Sequence, residues 1–180
     1  MSKQNPEIDA YYEWIDPLFR KILLHKTYEE YLESIADLPR QELAIFAAHC
    51  CDAEIGNGGF DQLFYNPTGI LVPESFEGYI AVGKPELEAI VRKAAKLLGE
   101  PYPRGREERQ ETLLVLSGRT LPEVEEIAKE AKHPYLGFLK AVEDLDLDEL
   151  SSEYYQQAIC QRWFFDEAAS SYIAGLRTND

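Results

Sequence analysis

Long apolar runs are missing from this 180-residue chain, and no stretch approaches the ~20 apolar residues that a bilayer-spanning helix needs. A membrane partner is therefore not expected. Cysteine is scarce: Cys50, Cys51 and Cys160 form an odd set with two neighbours in sequence, a poor disulfide framework that fits reduced, packed thiols. Period-two alternation is nearly absent, which argues against a sheet. The chain also lacks G-x-x-x-x-G-K, a strand-led G-x-G-x-x-G, C-x-x-C and H-x-x-x-H. A nucleotide cradle and a paired zinc site are thereby unsupported, and neither a cofactor nor a catalytic residue is expected. Basic residues are few, 18 Lys and Arg against 33 Asp and Glu, for a net charge of -15. A surface of that sign repels nucleic acid and anionic lipid but attracts a basic protein partner. The opening Met1 to Pro6 has no apolar signal core, and a cytoplasmic location is the expectation.

What is present is an ordinary globular composition, 45% hydrophobic and 12% aromatic. A chain of this length predicts one domain over residues 1–180. Its charge is uneven: the net is -9 over residues 1–83, +2 over 84–119 and -8 over 120–180. Ile8, Tyr11, Tyr12, Ile15, Leu18, Phe19, Ile22 and Leu23 recur at spacings of three and four, predicting an amphipathic helix over 7–24 that Pro17 kinks or divides. Thr27-Tyr28-Glu29-Glu30 has the form of a capping box ahead of a short helix to about Ile35. Further helices are predicted over about 39–55, 85–98, 106–116, 121–132 and 150–176, with Gly99 and Gly118 as stops and the Pro-rich residues 100–105 as a loop. The fold class is all-α, an irregular bundle of about eight or nine helices.

Glu54 to Gly69 is the densest pattern, with Gly56, Gly58, Gly59 and Gly69 and the amides Asn57, Gln62 and Asn66. Three glycines oppose an unbroken helix by about 3 kcal/mol, which predicts a break and a tight corner. Phe60, Leu63 and Phe64 then restart a short apolar face, and Asn66-Pro67-Thr68-Gly69 stops it. The amides are expected to tie down backbone groups at the corner. The alternative is that Asn57, Gln62 and Asn66 line a pocket for a small ligand, as in a small-molecule binder or an unrecognised enzyme.

Asn57-Gly58-Gly59-Phe60, Gln62, Phe64 and Asn66, followed by Gly69, Ile80, Gly83 and the helix up to Leu98, resemble the bacterial DNA-mimic-protein-like domain family. The resemblance covers about residues 40–116 well and the ends loosely. It implies an all-helical fold, frequent homodimers and, for the member that named the family, an acidic surface that imitates DNA and occupies a transcription factor's DNA-binding face. The stretch with Arg92, Lys93, Lys96, Arg104, Arg106 and Arg109 departs from such a surface unless it lies away from the acidic face.

Three other constellations are weaker. Asp144-Leu145-Asp146-Leu147-Asp148 begins like a calcium loop, but its register puts Glu149 at the turn glycine and Tyr155 at the bidentate glutamate, so a solvated acidic loop anchored by leucines is expected. His49, Cys50, Cys51, Asp52 and Glu54 share a helix without a second element to complete a metal site. Adjacent helical residues point about 100° apart, so His49 cannot readily serve Cys50 as a base. The functional expectation is a non-enzymatic acidic module that binds a basic protein such as a transcription factor through Glu123, Glu125, Glu126, Glu130, Glu143, Asp144, Asp146, Asp148 and Glu149. An immunity or antitoxin protein is the alternative within that class.

Overall fold

A computed structural model of the chain describes residues 6–118, 120–131, 146–158 and 165–177, and among these are nine α-helices and one 3-10 turn. The first stripe folds as α1 (Pro6–Lys21). Pro17 lies inside it without dividing it. Only part of the predicted stripe is core: Tyr11, Ile15, Leu18 and Ile22 are buried, whereas Tyr12, Phe19 and Leu23 stay 41%, 50% and 39% exposed. Thr27 begins α2 (Tyr28–Ile35) with both halves of the capping box formed, its hydroxyl accepting from the Glu30 N–H and the Glu30 carboxylate accepting from the Thr27 N–H.

The central element is α3 (Arg40–Tyr65), whose regular geometry fails at Gly58 and Gly59. Gly59 has φ 74°, the left-handed region in which glycine alone is unstrained. The break predicted from the glycines is thus a corner within one element. Beyond it Phe60, Leu63 and Phe64 are fully buried. At about 1.5–3 kcal/mol each, their burial outweighs the ~3 kcal/mol that the glycines withhold from the helix.

Asn66 leaves the helix in extended conformation and a 3-10 turn (Pro67–Leu71) follows, leading directly into α4 (Val72–Ala81). None of the predicted helices covers residues 72–81, where Gly78 and the β-branched Val72 weaken the local signal. Packing decides it: α4 lies against α3 more extensively than any other pair of elements, with Val72, Ser75, Gly78 and Tyr79 buried. Gly78 lets the two backbones meet, because a Cβ there would overlap the Ala44 carbonyl oxygen and stand 2.7 Å from Ala48 Cβ.

Next come α5 (Pro85–Leu97), α6 (Arg106–Ser117) and α7 (Leu121–Ala131), close to their predicted bounds, with Gly118 left-handed after α6. Of the acidic stretch 144–148 expected as a loop, residues 146–148 are instead the first turn of α8 (Asp146–Ala158), where carboxylates favour the helix dipole and Leu147 and Leu150 reach the core, while 144 and 145 lie outside the described residues. The predicted helix over 150–176 corresponds to α8 and α9 (Phe165–Arg177); residues 159–164 lie outside the described residues. α8 packs on α3 and α5, and α9 on α1 and α3. Among the described residues no helix is long and apolar enough to cross a membrane.

Candidate functional site

The corner in α3 leaves backbone groups that a continuous helix would have paired. α8 supplies their partners from about a hundred residues away. The Tyr155 hydroxyl donates to the carbonyl of Ile55 at 2.8 Å and lies 3.1 Å from that of Gly56, and Ser151 Oγ accepts from the Phe60 N–H at 3.0 Å. Ser151 passes its own proton to the Leu147 carbonyl. A Cβ on Gly59 would stand 2.8 Å from Ser151 Oγ, so glycine serves both the φ and the space.

The three amides were expected to bond local backbone, and the structure corrects this: they bond side chains and converge on Glu54. Gln62 Nε2 and Asn66 Nδ2 donate to Glu54 Oε2 at 2.7 and 2.9 Å, and Thr68 Oγ1 donates to Oε1 at 2.8 Å. Asn57 Nδ2 donates to Gln62 Oε1 at 3.0 Å, an oxygen that a Cβ on Gly58 would displace. One carboxylate thus ties the end of the first half of α3 to the restarted half and to the 3-10 turn. Backbone bonding was the expectation because Glu54 reads as an ordinary helical acid; the only signal for it was its position eight and twelve residues before the amides.

Glu54, Asn57, Gln62 and Thr68 line one side of a cavity of about 320 Å³ whose other residues include Phe19, Leu24 and His49.

The basic stretch is also a clamp. Arg109 is fully buried and donates Nε to the Phe64 carbonyl at 3.0 Å, Nη2 to Asn66 at 2.9 Å and Nη1 to Arg104 at 2.7 Å. Arg106 Nε and Gln110 Nε2 both reach the Tyr65 carbonyl. Arg104 donates to the Ile70 carbonyl and to Glu74, and Tyr102 to the Gly69 carbonyl. Apart from that of Arg104, these carbonyls lie at the C-terminal end of α3 and in the turn behind it, where cations meet the negative end of the dipole and the side-chain donors add to the turn N–H groups that Asn66 and Gly69 already accept. Burial lowers the Arg109 pKa. Burial also works against the charge of Arg104, but Glu74 more than offsets it and raises the pKa.

A second polar network crosses the core. Tyr79 and Tyr154 hydroxyls are 2.9 Å apart, and Tyr154 donates to Asp52 Oδ1 at 2.5 Å. Burial pushes the Asp52 carboxyl up. Nearby, His49 Nδ1 lies 3.0 Å from the Tyr11 hydroxyl and 3.4 Å from Asp166, which also accepts from Tyr12. The His49 and Tyr12 hydrogen bonds hold the Asp166 carboxyl below its usual range. Cys50 and Cys51 are buried, and burial raises both thiols, so neither is a thiolate nucleophile at neutral pH. Among the described residues no group of three or more His, Cys, Asp or Glu could hold a metal ion.

Of the nine carboxylates singled out for a partner, Glu123, Glu125 and Glu126 are exposed on α7, and Asp148 and Glu149 are exposed on α8. Glu123 accepts from the N–H and hydroxyl of Thr120, closing the start of α7. Glu126 lies 3.5 Å from Lys129. Glu143 and Asp144 lie outside the described residues, as do the side chains of Glu130 and Asp146. The exposed acid extends beyond these nine: Asp9, Glu13 and Asp16 stand in one row on α1, and Glu29 and Glu33 in another on α2.

A clamped corner beside an acidic exterior, on a frame that is all-helical among the described residues, defines the class as an all-α protein. The chain belongs to the DMP19-like protein family, named for DNA mimic protein 19, whose sequence profile matches residues 36–175. The match extends through α7, α8 and α9, well past the 40–116 core of the sequence resemblance. No curated protein and no solved structure matches the chain at the same stringency.

Proposed function

We propose that this chain is a non-enzymatic acidic protein that binds the DNA-binding surface of a basic partner, such as a transcription factor, in place of DNA. Membership of the DMP19-like family carries this reading. The net charge of -15 supports it, since an acidic exterior accelerates encounter with a basic face and follows the same electrostatics that draw that face to phosphates.

The basic stretch, which threatened to interrupt such an exterior, is largely engaged within the molecule. Arg104, Arg106 and Arg109 bond carbonyls of α3 and of the loops around it, and Arg92, Lys93 and Lys96 pair with Glu88, Glu153 and Glu100. The partner-facing residues in this reading are Glu125, Glu126, Asp148 and Glu149 with the rows on α1 and α2. Glu123 contributes less, because its carboxylate closes the α7 cap.

Capture from a bacterial lysate on the immobilised protein, at about 50 mM and about 200 mM salt, tests the proposal through the steep salt dependence of such contacts. A captured DNA-binding protein should be released by salt and should lose its duplex DNA in a mobility-shift competition. Absence of any basic protein at the lower salt refutes the reading, as does a captured partner that holds DNA and this chain together.

A further inference from the structure

A cavity of about 690 Å³ lies between the residues leading into α2 and the start of α6, and its charge is opposite to that of the molecule. Lys26, Arg104, Arg106 and Arg109 line it against two carboxylates, Glu30 and Glu107, and His25 stands at its edge. With Glu74 paired to Arg104, the three carboxylates leave a local surplus of one positive charge in a chain of net charge -15.

The cations are not consumed equally. Arg104 has Glu74 as counterion, and Arg109 is fully buried with only carbonyl oxygens as acceptors. Arg109 makes three hydrogen bonds from five N–H groups, so two donors remain. Arg106 spends Nε on Tyr65 and keeps its two terminal nitrogens. His25 and Lys26 are exposed and form no hydrogen bond or ion pair with a described residue. Glu30 accepts from the Thr27 cap, and its charge also acts on Lys26. The remaining wall is apolar, formed by Leu24, Pro67, Ile70 and the ring of Tyr28.

We propose that this cavity binds a phosphomonoester with an apolar or aromatic body. The phosphate carries close to two negative charges and three strong acceptor oxygens at neutral pH, enough to take up the remaining N–H groups of Arg106 and Arg109 together with the Lys26 ammonium, which a carboxylate's two oxygens could not do at once. Arginine forks supply the paired N–H groups that phosphate oxygens accept, and Lys26 adds a point charge. The Tyr28 side and the aliphatic wall receive the ester's body. The volume falls within the ~300–1,000 Å³ of ordinary small-molecule sites.

Calorimetric titration with phenyl phosphate, inorganic phosphate and phenol separates the two halves of the recognition. Phenyl phosphate should bind about tenfold more tightly than inorganic phosphate, and phenol should not bind. Lys26→Ala and Arg106→Ala should each weaken phenyl phosphate about tenfold, the loss of one charge-assisted contact, with unchanged circular dichroism. Lys26 is exposed, and Gln110 still holds the Tyr65 carbonyl when Arg106 is replaced, so neither variant endangers the fold. No binding of phenyl phosphate, or equal affinity in wild type and both variants, overturns the proposal. So does dimerisation that Lys26→Glu abolishes and phenyl phosphate leaves unchanged, which would give the cavity to a second copy.

Discussion

Substituting Gly78 by alanine tests the closest approach in the fold. A Cβ at that position would overlap the carbonyl oxygen of Ala44 and stand 2.7 Å from both the Ala44 carbonyl carbon and Ala48 Cβ. Two of those three atoms belong to the backbone of α3, so no rotamer change can make room. α4 would have to move off α3 along the most extensive helix pairing in the molecule. Overpacking of this kind costs about 1–3 kcal/mol, and with backbone on the far side the upper end applies. Alanine returns up to about 1 kcal/mol of helix propensity, leaving a net loss of about 2 kcal/mol. For a chain of this size that is a Tm lower by about 4–8 °C in thermal unfolding followed by far-UV circular dichroism. Gly56→Ala is the matched control. It makes the same chemical change in α3, with nothing within 4 Å of the added Cβ, and should raise stability by about 0.5–1 kcal/mol. If Gly78→Ala unfolds at or above the wild-type temperature, the close packing of α3 on α4 is wrong. If both variants shift the same way, propensity and not space governs both sites.

Two further outcomes follow from the polar networks. Arg109→Met leaves the carbonyls of Phe64 and Arg104 without their donor and that of Asn66 with the Gly69 N–H alone, at about 1–3 kcal/mol per unpaired group, offset in part because a guanidinium is no longer buried. A net loss of about 2–4 kcal/mol is expected, read as a lower urea midpoint at unchanged slope, and a midpoint equal to wild type refutes the clamp. Asp52→Asn should stabilise the protein at pH 7. Burial raises the folded carboxyl above its ordinary 3.8, so the proton-bound form is favoured in the folded state. Its contribution is therefore complete below that value and lost as pH rises through the folded value, leaving a cost at neutral pH that the amide removes. Asn keeps an oxygen for the Tyr154 hydroxyl, and the flanking His49 and Asp166 are unchanged. The advantage over wild type should shrink as pH falls to about 4 in urea titrations, and an advantage that grows on acidification refutes the assignment. Asp166 works in the opposite sense, since its depressed value supplies stability that is lost on acidification, so the difference between variant and parent is the informative quantity.

Local chemistry was enough to predict much of the helical frame. The capping box at Thr27, the prolines at the starts of α3 and α7, and the left-handed glycine after α6 act within one turn of themselves, so their signals survive in sequence. The corner at Gly58 and Gly59 was legible for the same reason, because a glycine withholds helix propensity wherever it stands. α4 was not legible, since its helix is stabilised by α3 and not by its own residues. The exposure of Tyr12, Phe19 and Leu23 was equally hidden: periodicity shows that a face is apolar, not how much of it a neighbour covers.

By itself, the amino-acid sequence determined the all-helical class, the broken α3, the acidic balance and the family signature, all properties of composition and short-range spacing. Only the tertiary structure decided what the distinctive residues do. It spent the amides on Glu54, paired the corner with Ser151 and Tyr155, and turned the basic stretch inward onto the carbonyls at the end of α3. Each of those bonds satisfies a backbone end or a charge with a partner supplied by the folded chain, many from distant elements. Helix ends and buried charges state what kind of partner they need; which residue meets the need is set by packing.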